Sequence, residues 1–412
     1  MLLKHLKNIS FLFSSKLAST FFAFMAQVLS ARMLAKEDYG LLSFYLILIN
    51  ILASIIGFGL GKFWLRRFAV EGKDANRWVI PSIWTILFLF IISLPIYFFI
   101  PYFSLGASSL IIGITLLPLM LFQSSSTLII GKYQVDNNFK SLSFFEMMKN
   151  TAFLLSALTL FVLGFHIFLI SYGLLALILL IFTIISIRSF YKRNLNIKLE
   201  TSSRPKIKTV LSTAWPFGLQ GVLYMLYYQV DIILITILLG AIPTGLYNAS
   251  FSIISLIFIF PSMLFQVYLL PKSNTWIVKK DIAKVQFIRK KLSFIALLLG
   301  LLIAIVIYFL SEIIITLIYG VTFFDSVLIL QVLLLSIPFR FASNSIGVLF
   351  VSEIMVSKKV YIQGGGALLN VCLNLLLIKQ FGVLGAAVST VLTEILVAIL
   401  MYTYSAKITK EM

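Results

Sequence analysis

Polar side chains at helical spacing in an apolar stretch, near residues 210–239, suggest a surface that could recognise a saccharide. These side chains are Gln220, Tyr224, Tyr227, Tyr228 and Asp231. Their spacing places all five on one face of an α-helix. Tyrosine combines an apolar ring face with a hydroxyl that forms hydrogen bonds. We therefore predict that this face contacts the sugar rings of a cargo, and packing of the tyrosines between helices is the alternative.

A charged residue stands in the middle of another apolar stretch, near residues 326–352. Arg340 lies about 14 residues from either end, near the bilayer midplane at 1.5 Å per residue, and shares a face with Asn344. A charge at that depth costs at least ~2.5 kcal/mol and usually marks a functional site. Because arginine binds phosphate, Arg340 is the predicted phosphate receptor. The alternative is a buried ion pair with Asp231 or Glu394.

Further polar positions extend this candidate site to other stretches. Lys16 and Lys62 add cations, and Asn248 adds an amide. The two lysines lie closer to the ends of their stretches, so extension of their ammonium groups to the interface is the alternative. For Asn248 and the serine and glycine positions, helix packing is the alternative. Asp231 and Glu394 are candidates for binding a coupling proton or cation.

The elements that would position these residues are membrane-spanning helices. Hydrophobic residues make up 61% of the 412 positions and charged residues only 11%, whereas soluble domains carry roughly 25% charged residues. Apolar runs of about 20 residues follow one another, each long enough to cross a bilayer as a helix. We predict an all-α membrane protein of about twelve transmembrane helices, near residues 10–34, 40–65, 78–100, 105–130, 142–163, 166–187, 210–239, 244–270, 288–315, 326–352, 360–379 and 383–406.

The residues that give the net charge of +19 are distributed along the chain as this topology predicts. Basic residues concentrate on alternate loops, and the loops of the opposite side sum to zero. Because lysine and arginine accumulate on cytoplasmic loops, both termini are predicted to be cytoplasmic. The charge therefore indicates contact with anionic membrane lipids rather than nucleic acid.

The longest connection divides the chain into two sets of six spans. We predict an N-terminal six-helix lobe at 1–190, a basic cytoplasmic linker at 191–208 and a C-terminal six-helix lobe at 209–412, with the lobes around a central cavity. Weak matches between the halves, such as Gly40-Leu41 with Gly245-Leu246, are consistent with parallel repeats.

Enzyme and cofactor motifs are missing from the sequence. Gly131-Lys132 lacks the glycine and hydroxyl residues of a phosphate-binding loop. The two histidines, His5 and His166, lie far apart in the sequence and do not have the spacing of a metal site. We expect no catalytic residue, no metal and no cofactor.

Several short motifs resemble the polysaccharide and O-antigen flippases of the multidrug/oligosaccharidyl-lipid/polysaccharide superfamily. The resemblance covers the whole chain, and its motifs are Ser30 to Gly40, Trp215-Pro216, Gln229 with Asp231, Gly245 to Ala249, Leu269 to Lys272, Asn370, Asn374 and Phe381 to Ala387. One departure is Lys36-Glu37, where the family often has a Gly-Pro pair.

This resemblance implies a flippase of a bacterial cytoplasmic (inner) membrane that works by alternating access. Its cargo would be a polyprenyl-diphosphate-linked oligosaccharide, an O-antigen or other polysaccharide repeat unit, as in lipopolysaccharide assembly. Partners would be the lipid-linked oligosaccharide, membrane lipids and other polysaccharide assembly proteins. The alternatives are a cation-coupled small-molecule or multidrug antiporter of the same superfamily and a membrane glycan polymerase, which would need a large outer loop.

Overall fold

The computed structural model describes residues 2–194, 204–350 and 353–411, and these residues form helices joined by short turns, with no strand among them. Part of the predicted linker, residues 195–203, lies outside the described residues. The all-α fold class predicted from composition is confirmed.

The described residues form helices α1 to α16. Their bounds are α1 Leu2–Met33, α2 Lys36–Gly57, α3 Leu60–Glu71, α4 Val79–Leu105, α5 Leu110–Val135, α6 Phe139–Leu158, α7 Leu160–Arg193, α8 Ile207–Leu239, α9 Ala241–Pro261, α10 Leu270–Val278, α11 Ile282–Gln286, α12 Ser293–Tyr319, α13 Ser326–Leu334, α14 Ile337–Ile346, α15 Glu353–Phe381 and α16 Val383–Glu411. Short turns of 3-10 helix lie at Gly72–Trp78, Ala107–Ser109, Val321–Phe323 and Gly347–Leu349, and π-helical turns at Ser262–Leu269 and Phe287–Leu292.

Nine helical segments of the described residues are long and apolar enough to cross a membrane. One of them, Lys36–Leu105, is 70 residues long and contains α2, α3 and α4. Dividing it at its 3-10 turn and adding α1 and α6 gives the twelve stretches predicted from the sequence. The predicted number of spans is therefore approximately consistent with the structure.

The chain forms two compact units. The first comprises Met1–Leu34 and Phe44–Met225, and the second comprises Ala35–Ser43 and Leu226–Met412. In the first unit α3 and α5 approach closely, because a Cβ on Gly61 would lie 2.3 Å from the Thr127 carbonyl oxygen. In the second unit a Cβ on Gly40 would lie 1.8 Å from the Ala241 carbonyl oxygen. Small residues thus permit close helix contacts inside each unit.

A break in the backbone separates α2 from α3 in the first unit. Phe58 and Gly59 have φ angles of 41° and 63°, so the chain leaves the right-handed helical region there. A Cβ on Gly59 would lie 2.5 Å from the Phe217 carbonyl carbon, so this position requires glycine for space as well as for its φ angle. The break places Lys62 in the first turn of α3.

A second interruption separates α13 from α14 in the other unit. Pro338 lies in the first turn of α14 and has no amide hydrogen to continue the hydrogen bonds of α13. The amides of Leu335 and Ser336 instead donate to the carbonyl oxygens of Val332 and Leu333, three residues earlier in each case, which is the pattern of a 3-10 turn. Arg340 follows in α14. Interrupted membrane helices often line binding sites. Here Gly59 of the first interruption precedes Lys62 by three residues, and Ser336 of the second precedes Arg340 by four.

Candidate functional site

Arg340, Glu394 and Tyr227 form what we call the arginine cluster, within the second unit. Arg340 Nη1 donates a hydrogen bond to Glu394 Oε1 at 2.8 Å. The Tyr227 hydroxyl donates to the same oxygen at 2.5 Å. The Arg340 and Glu394 side chains are only 11% and 6% exposed. Of the two acids considered as partners from the sequence, Glu394 makes the ion pair.

Aromatic rings also hold the Arg340 guanidinium. Its central carbon lies 5.3 Å from the ring centre of Tyr227, 5.5 Å from that of Tyr228 and 5.1 Å from that of Phe258. Contacts between a cation and a ring face are worth ~0.5–2 kcal/mol each. Because these contacts already fix the planar guanidinium, it loses little side-chain entropy when it binds a phosphate.

Asp231 is the centre of a separate group, the aspartate cluster. Its Oδ2 accepts hydrogen bonds from the hydroxyls of Tyr247 at 2.9 Å and Thr390 at 2.7 Å. Its Oδ1 accepts one from the Asn374 side-chain amide at 2.7 Å. Asp231 is 3% exposed, and it makes no ion pair with any residue that the structure describes. A buried carboxylate without a cation is costly, which is a reason to expect a function for it.

The two clusters lie one helical turn apart on the same pair of helices. Tyr227 and Asp231 are four residues apart on α8, and Thr390 and Glu394 are four residues apart on α16. Four residues correspond to about 6 Å along a helix. A change of charge in one cluster therefore acts on the other over a short distance.

A buried acceptor atom remains open in each cluster. Asn374 Oδ1 and Glu394 Oε2 are buried and accept no hydrogen bond from the described residues. In the aspartate cluster, the oxygens of Asp231, Thr390 and Asn374 are hard ligands of the kind that bind alkali and alkaline-earth cations. No group of three or more His, Cys, Asp and Glu side chains suited to a metal ion occurs among the described residues.

Gly366 of α15 permits the Tyr227 ring to reach its position. A Cβ at Gly366 would lie 2.8 Å from Val397 Cγ2 and 3.3 Å from the Tyr227 ring, whereas a Cβ at Gly365 meets no atom within 4 Å. We expect Gly366→Ala to destabilise the protein by ~1–3 kcal/mol through overpacking. Gly365→Ala should be neutral or stabilising by up to ~1 kcal/mol, because alanine favours a helix.

Thermal melting of the two purified glycine variants checks this expectation. The variants differ only in which of two neighbouring glycines gains a methyl group. Equal melting temperatures would contradict close packing of Gly366 on Tyr227.

Other predicted positions of the second unit have contacts within the protein. The Tyr228 hydroxyl donates to Ser255 Oγ at 3.1 Å. The Asn248 amide donates to the Tyr39 hydroxyl at 3.1 Å and to Ser43 Oγ at 2.9 Å, and Asn248 is buried. Asn344 in α14 is partly exposed.

The candidate residues of the first unit are more accessible. Lys62 is exposed, and its ammonium donates to Gln220 Oε1 at 3.2 Å. Lys16 and Tyr224 are also exposed. Neither lysine makes an ion pair with a described residue. Lys62 with Gln220 therefore offers a cation and an amide side by side.

Sequence reasoning missed Thr390 and did not assign Tyr247 or Asn374 to a site. Tyr247 and Asn374 appeared only within motifs of the family resemblance. Thr390 lies four residues before Glu394 on α16, and this i, i+4 pair of polar residues in an apolar helix was the available signal. Helical spacing shows that two such residues share a face, but not which distant residue they contact.

Comparisons with known proteins identify the family and the fold of the chain. A family model described as a polysaccharide biosynthesis protein matches residues 5–273. No curated protein matches the chain significantly. A solved structure described as a lipid II flippase MurJ in an inward closed conformation has a TM-score of 0.72 at 17% identity, over 96% of this chain and 87% of that one.

Multidrug resistance MATE transporters of the MOP superfamily are also similar in structure. An inward-facing one has a TM-score of 0.74 at 13% identity, over 95% of each chain. An outward-facing one has a TM-score of 0.63 at 14% identity, over 98% of this chain and 96% of that one. At these identities the likeness shows the fold alone. Because the family model matches more than half of its residues, the chain belongs to the polysaccharide biosynthesis protein family, and its fold is that of the MOP-superfamily flippases and transporters.

Proposed function

We propose that this protein is a flippase that moves a polyprenyl-diphosphate-linked oligosaccharide across a bacterial cytoplasmic membrane by alternating access. The observation that carries the proposal is Arg340, a cation inside a membrane segment that is held by Glu394 and three aromatic rings. Such a guanidinium suits the diphosphate of the cargo. Family membership in polysaccharide biosynthesis and the fold shared with a lipid II flippase support a lipid-linked saccharide.

The cargo diphosphate competes with Glu394 for the guanidinium in this proposal. Tyr224, which is exposed on the same helix as Tyr227, contacts the glycan. In the first unit Lys62, with Gln220 beside it, is a separate phosphate-binding candidate. O-antigen and other polysaccharide repeat units fit this chemistry equally well.

Asp231 binds the coupling cation, a proton or a sodium ion, in the same proposal. One helical turn, a rise of about 6 Å, separates Asp231 from Tyr227 and Thr390 from Glu394, and two unit charges at a separation of that order interact by about 3 kcal/mol at an effective dielectric constant of about 20. Coupling free energies between sites are typically ~1–3 kcal/mol. A cation that neutralises Asp231 therefore strengthens anion binding at Arg340, so that cation and cargo bind cooperatively.

Transport by purified protein in liposomes tests the proposal. The cargo is a polyprenyl-diphosphate oligosaccharide with a fluorophore on its glycan, and a membrane-impermeant quencher reports which leaflet holds it. We expect flipping with the wild-type protein and none with empty liposomes. The MATE-like fold and the Asp231 cluster also suit a cation-coupled drug antiporter. Cation-driven uptake of a cationic dye without any flipping of the saccharide would favour that alternative.

Single-cysteine labelling tests the predicted topology, with cytoplasmic termini. Cys372 is the native cysteine and is exchanged for serine. In intact cells we expect an impermeant maleimide to label Ser108→Cys, in the turn between α4 and α5, and Thr322→Cys, before α13. Lys280→Cys, between α10 and α11, should react only after the cells are opened. All three positions are exposed, and labelling of Lys280→Cys in intact cells would reverse the proposed orientation.

A further inference from the structure

A partly open cavity lies between α4, α5 and α7 of the first unit, away from the residues of the proposed transport site. Its volume is about 520 Å³, within the roughly 300–1,000 Å³ of pockets that bind small ligands. Aliphatic side chains line most of it, among them Ile83, Leu121 and Ile184. Thr183 also lines it, but its hydroxyl donates to the Leu179 carbonyl of its own helix at 2.8 Å. The cavity therefore suits a hydrocarbon.

Cations stand at one end of this cavity. Arg188 and Lys192 line it one turn apart on α7, with Tyr191 beside them. Arg204 Nη2 donates to the Tyr191 hydroxyl at 3.2 Å and brings a third cation. None of these three cations makes an ion pair with a described residue.

Some neighbouring cations do have acidic partners among the described residues. Arg193 pairs with Asp136, and Arg67 and Arg77 both pair with Glu71. The cavity thus combines an apolar lining with a positive end whose cations form no ion pair with a described acid. This is the charge pattern that complements a hydrocarbon chain with an anionic head.

The length of the cavity matches one leaflet of a bilayer. On α7 it extends from Leu180 to Lys192, and twelve residue steps at 1.5 Å give about 18 Å. Half of a bilayer's hydrocarbon core is about 15 Å thick. A lipid with its head at Lys192 therefore ends its chain near Leu180.

We propose that this cavity is a binding site for an anionic glycerophospholipid of the leaflet at the C-terminal end of α7. One acyl chain lies along the aliphatic residues, and the phosphate contacts Arg188 and Lys192. Tyr191 lies at the level of the head group, where tyrosine is favoured at membrane interfaces. The site is independent of the transport site and of its cargo.

Native mass spectrometry of delipidated, full-length protein tests this site. Phosphatidylglycerol and phosphatidylcholine with identical chains are titrated separately. We expect phosphatidylglycerol to bind more tightly. Arg188→Gln with Lys192→Gln should weaken its binding about 30-fold, at about 1 kcal/mol for each cation. Ser125→Phe, which places a ring among the lining residues, should weaken binding of both lipids.

The matched control is Lys279→Gln with Lys280→Gln, which removes two exposed cations from the second unit and should leave binding unchanged. Equal binding of the two lipids by the wild-type protein would overturn the proposal. An equal loss of phosphatidylglycerol binding in the Arg188/Lys192 variant and in the Lys279/Lys280 control would also overturn it. Retained binding in a Ser125→Phe protein with normal melting would also overturn it, because the chain would then lie elsewhere. Displacement of phosphatidylglycerol by an equimolar polyprenyl diphosphate would assign the cavity to the transport cargo instead.

Discussion

Arg340→Gln is expected to abolish export of the saccharide and to lower the stability of the protein by ~3–5 kcal/mol. The stability loss arises because Glu394 would remain buried without its cation. The loss of export arises because a neutral amide cannot hold the diphosphate. Arg340→Lys should keep the charge and part of the export, since lysine binds phosphate without the bidentate geometry of arginine. A charge-assisted hydrogen bond is worth ~1.5–3 kcal/mol, so we expect a decrease of roughly 10- to 100-fold in rate.

A double variant separates the structural effect from the transport effect. Arg340→Gln with Glu394→Gln removes both charges and leaves two amides that can bond to each other. Neutral replacement of a buried ion pair is often tolerated, so abundance and melting temperature should recover. Export should remain absent, because deleting the acid does not restore a phosphate receptor. Protein abundance, melting and flipping in liposomes are measured on the same preparations.

Recovery of export in the double variant would contradict the receptor role of Arg340. The pair with Glu394 would then be structural, which is the alternative that the sequence already left open. Lys62→Gln is the variant to compare with Arg340→Gln, because it also replaces a candidate phosphate-binding cation by glutamine, but in the first unit. Because Lys62 is exposed and makes no ion pair with a described residue, its loss should weaken export without destabilising the protein.

The fold was predictable because its signals are local. Apolar runs about 20 residues long require helices in lipid, and no partner elsewhere in the chain is needed to recognise them. The breaks were less accessible to prediction. Phe58-Gly59 has the φ angles of a helix end within an apolar run, and glycine inside a membrane helix is common enough that its presence predicts no break.

The candidate site was predictable only one helix at a time. Spacing placed Tyr227, Tyr228 and Asp231 on one face of α8, but this face is broad and contacts several partners. Tyr227 bonds to Glu394, Tyr228 to Ser255, and Asp231 to residues of three other helices. Those partners are up to 167 residues away in sequence, and no periodicity encodes a contact of that range.

Asp231→Asn is expected to abolish the dependence of export on a cation while the protein remains folded. Asparagine has nearly the shape of aspartate and can still accept a hydrogen bond from Tyr247 or Thr390. Removing a buried carboxylate that has no ion pair among the described residues should keep or raise the melting temperature. Stability and function would therefore change in opposite directions, as is common at functional sites.

Melting in different salts measures cation binding directly. If sodium is the ion, wild-type protein should gain about 2.7 kcal/mol of stability at a concentration 100 times the dissociation constant, relative to choline. The Asp231→Asn variant should show no gain, and Thr390→Val should show a smaller one, because it loses a hydroxyl oxygen of the cluster. If a proton is the ion, sodium should have no effect on either protein, and a pH gradient alone should drive flipping by the wild type.

Cargo binding by Asp231→Asn distinguishes coupling from a role in holding the saccharide. Neutral asparagine imitates the cation-bound state, so the cargo should bind to this variant at least as tightly as to the wild type, and independently of the cation. Glu312→Gln is the matched control, because Glu312 is an exposed acid of α12, and it should behave as the wild type. Wild-type export by Asp231→Asn with its cation dependence intact would remove Asp231 from the mechanism. Loss of cargo binding would instead make Asp231 a contact of the saccharide, since the Arg340 guanidinium alone would then be insufficient to hold the cargo.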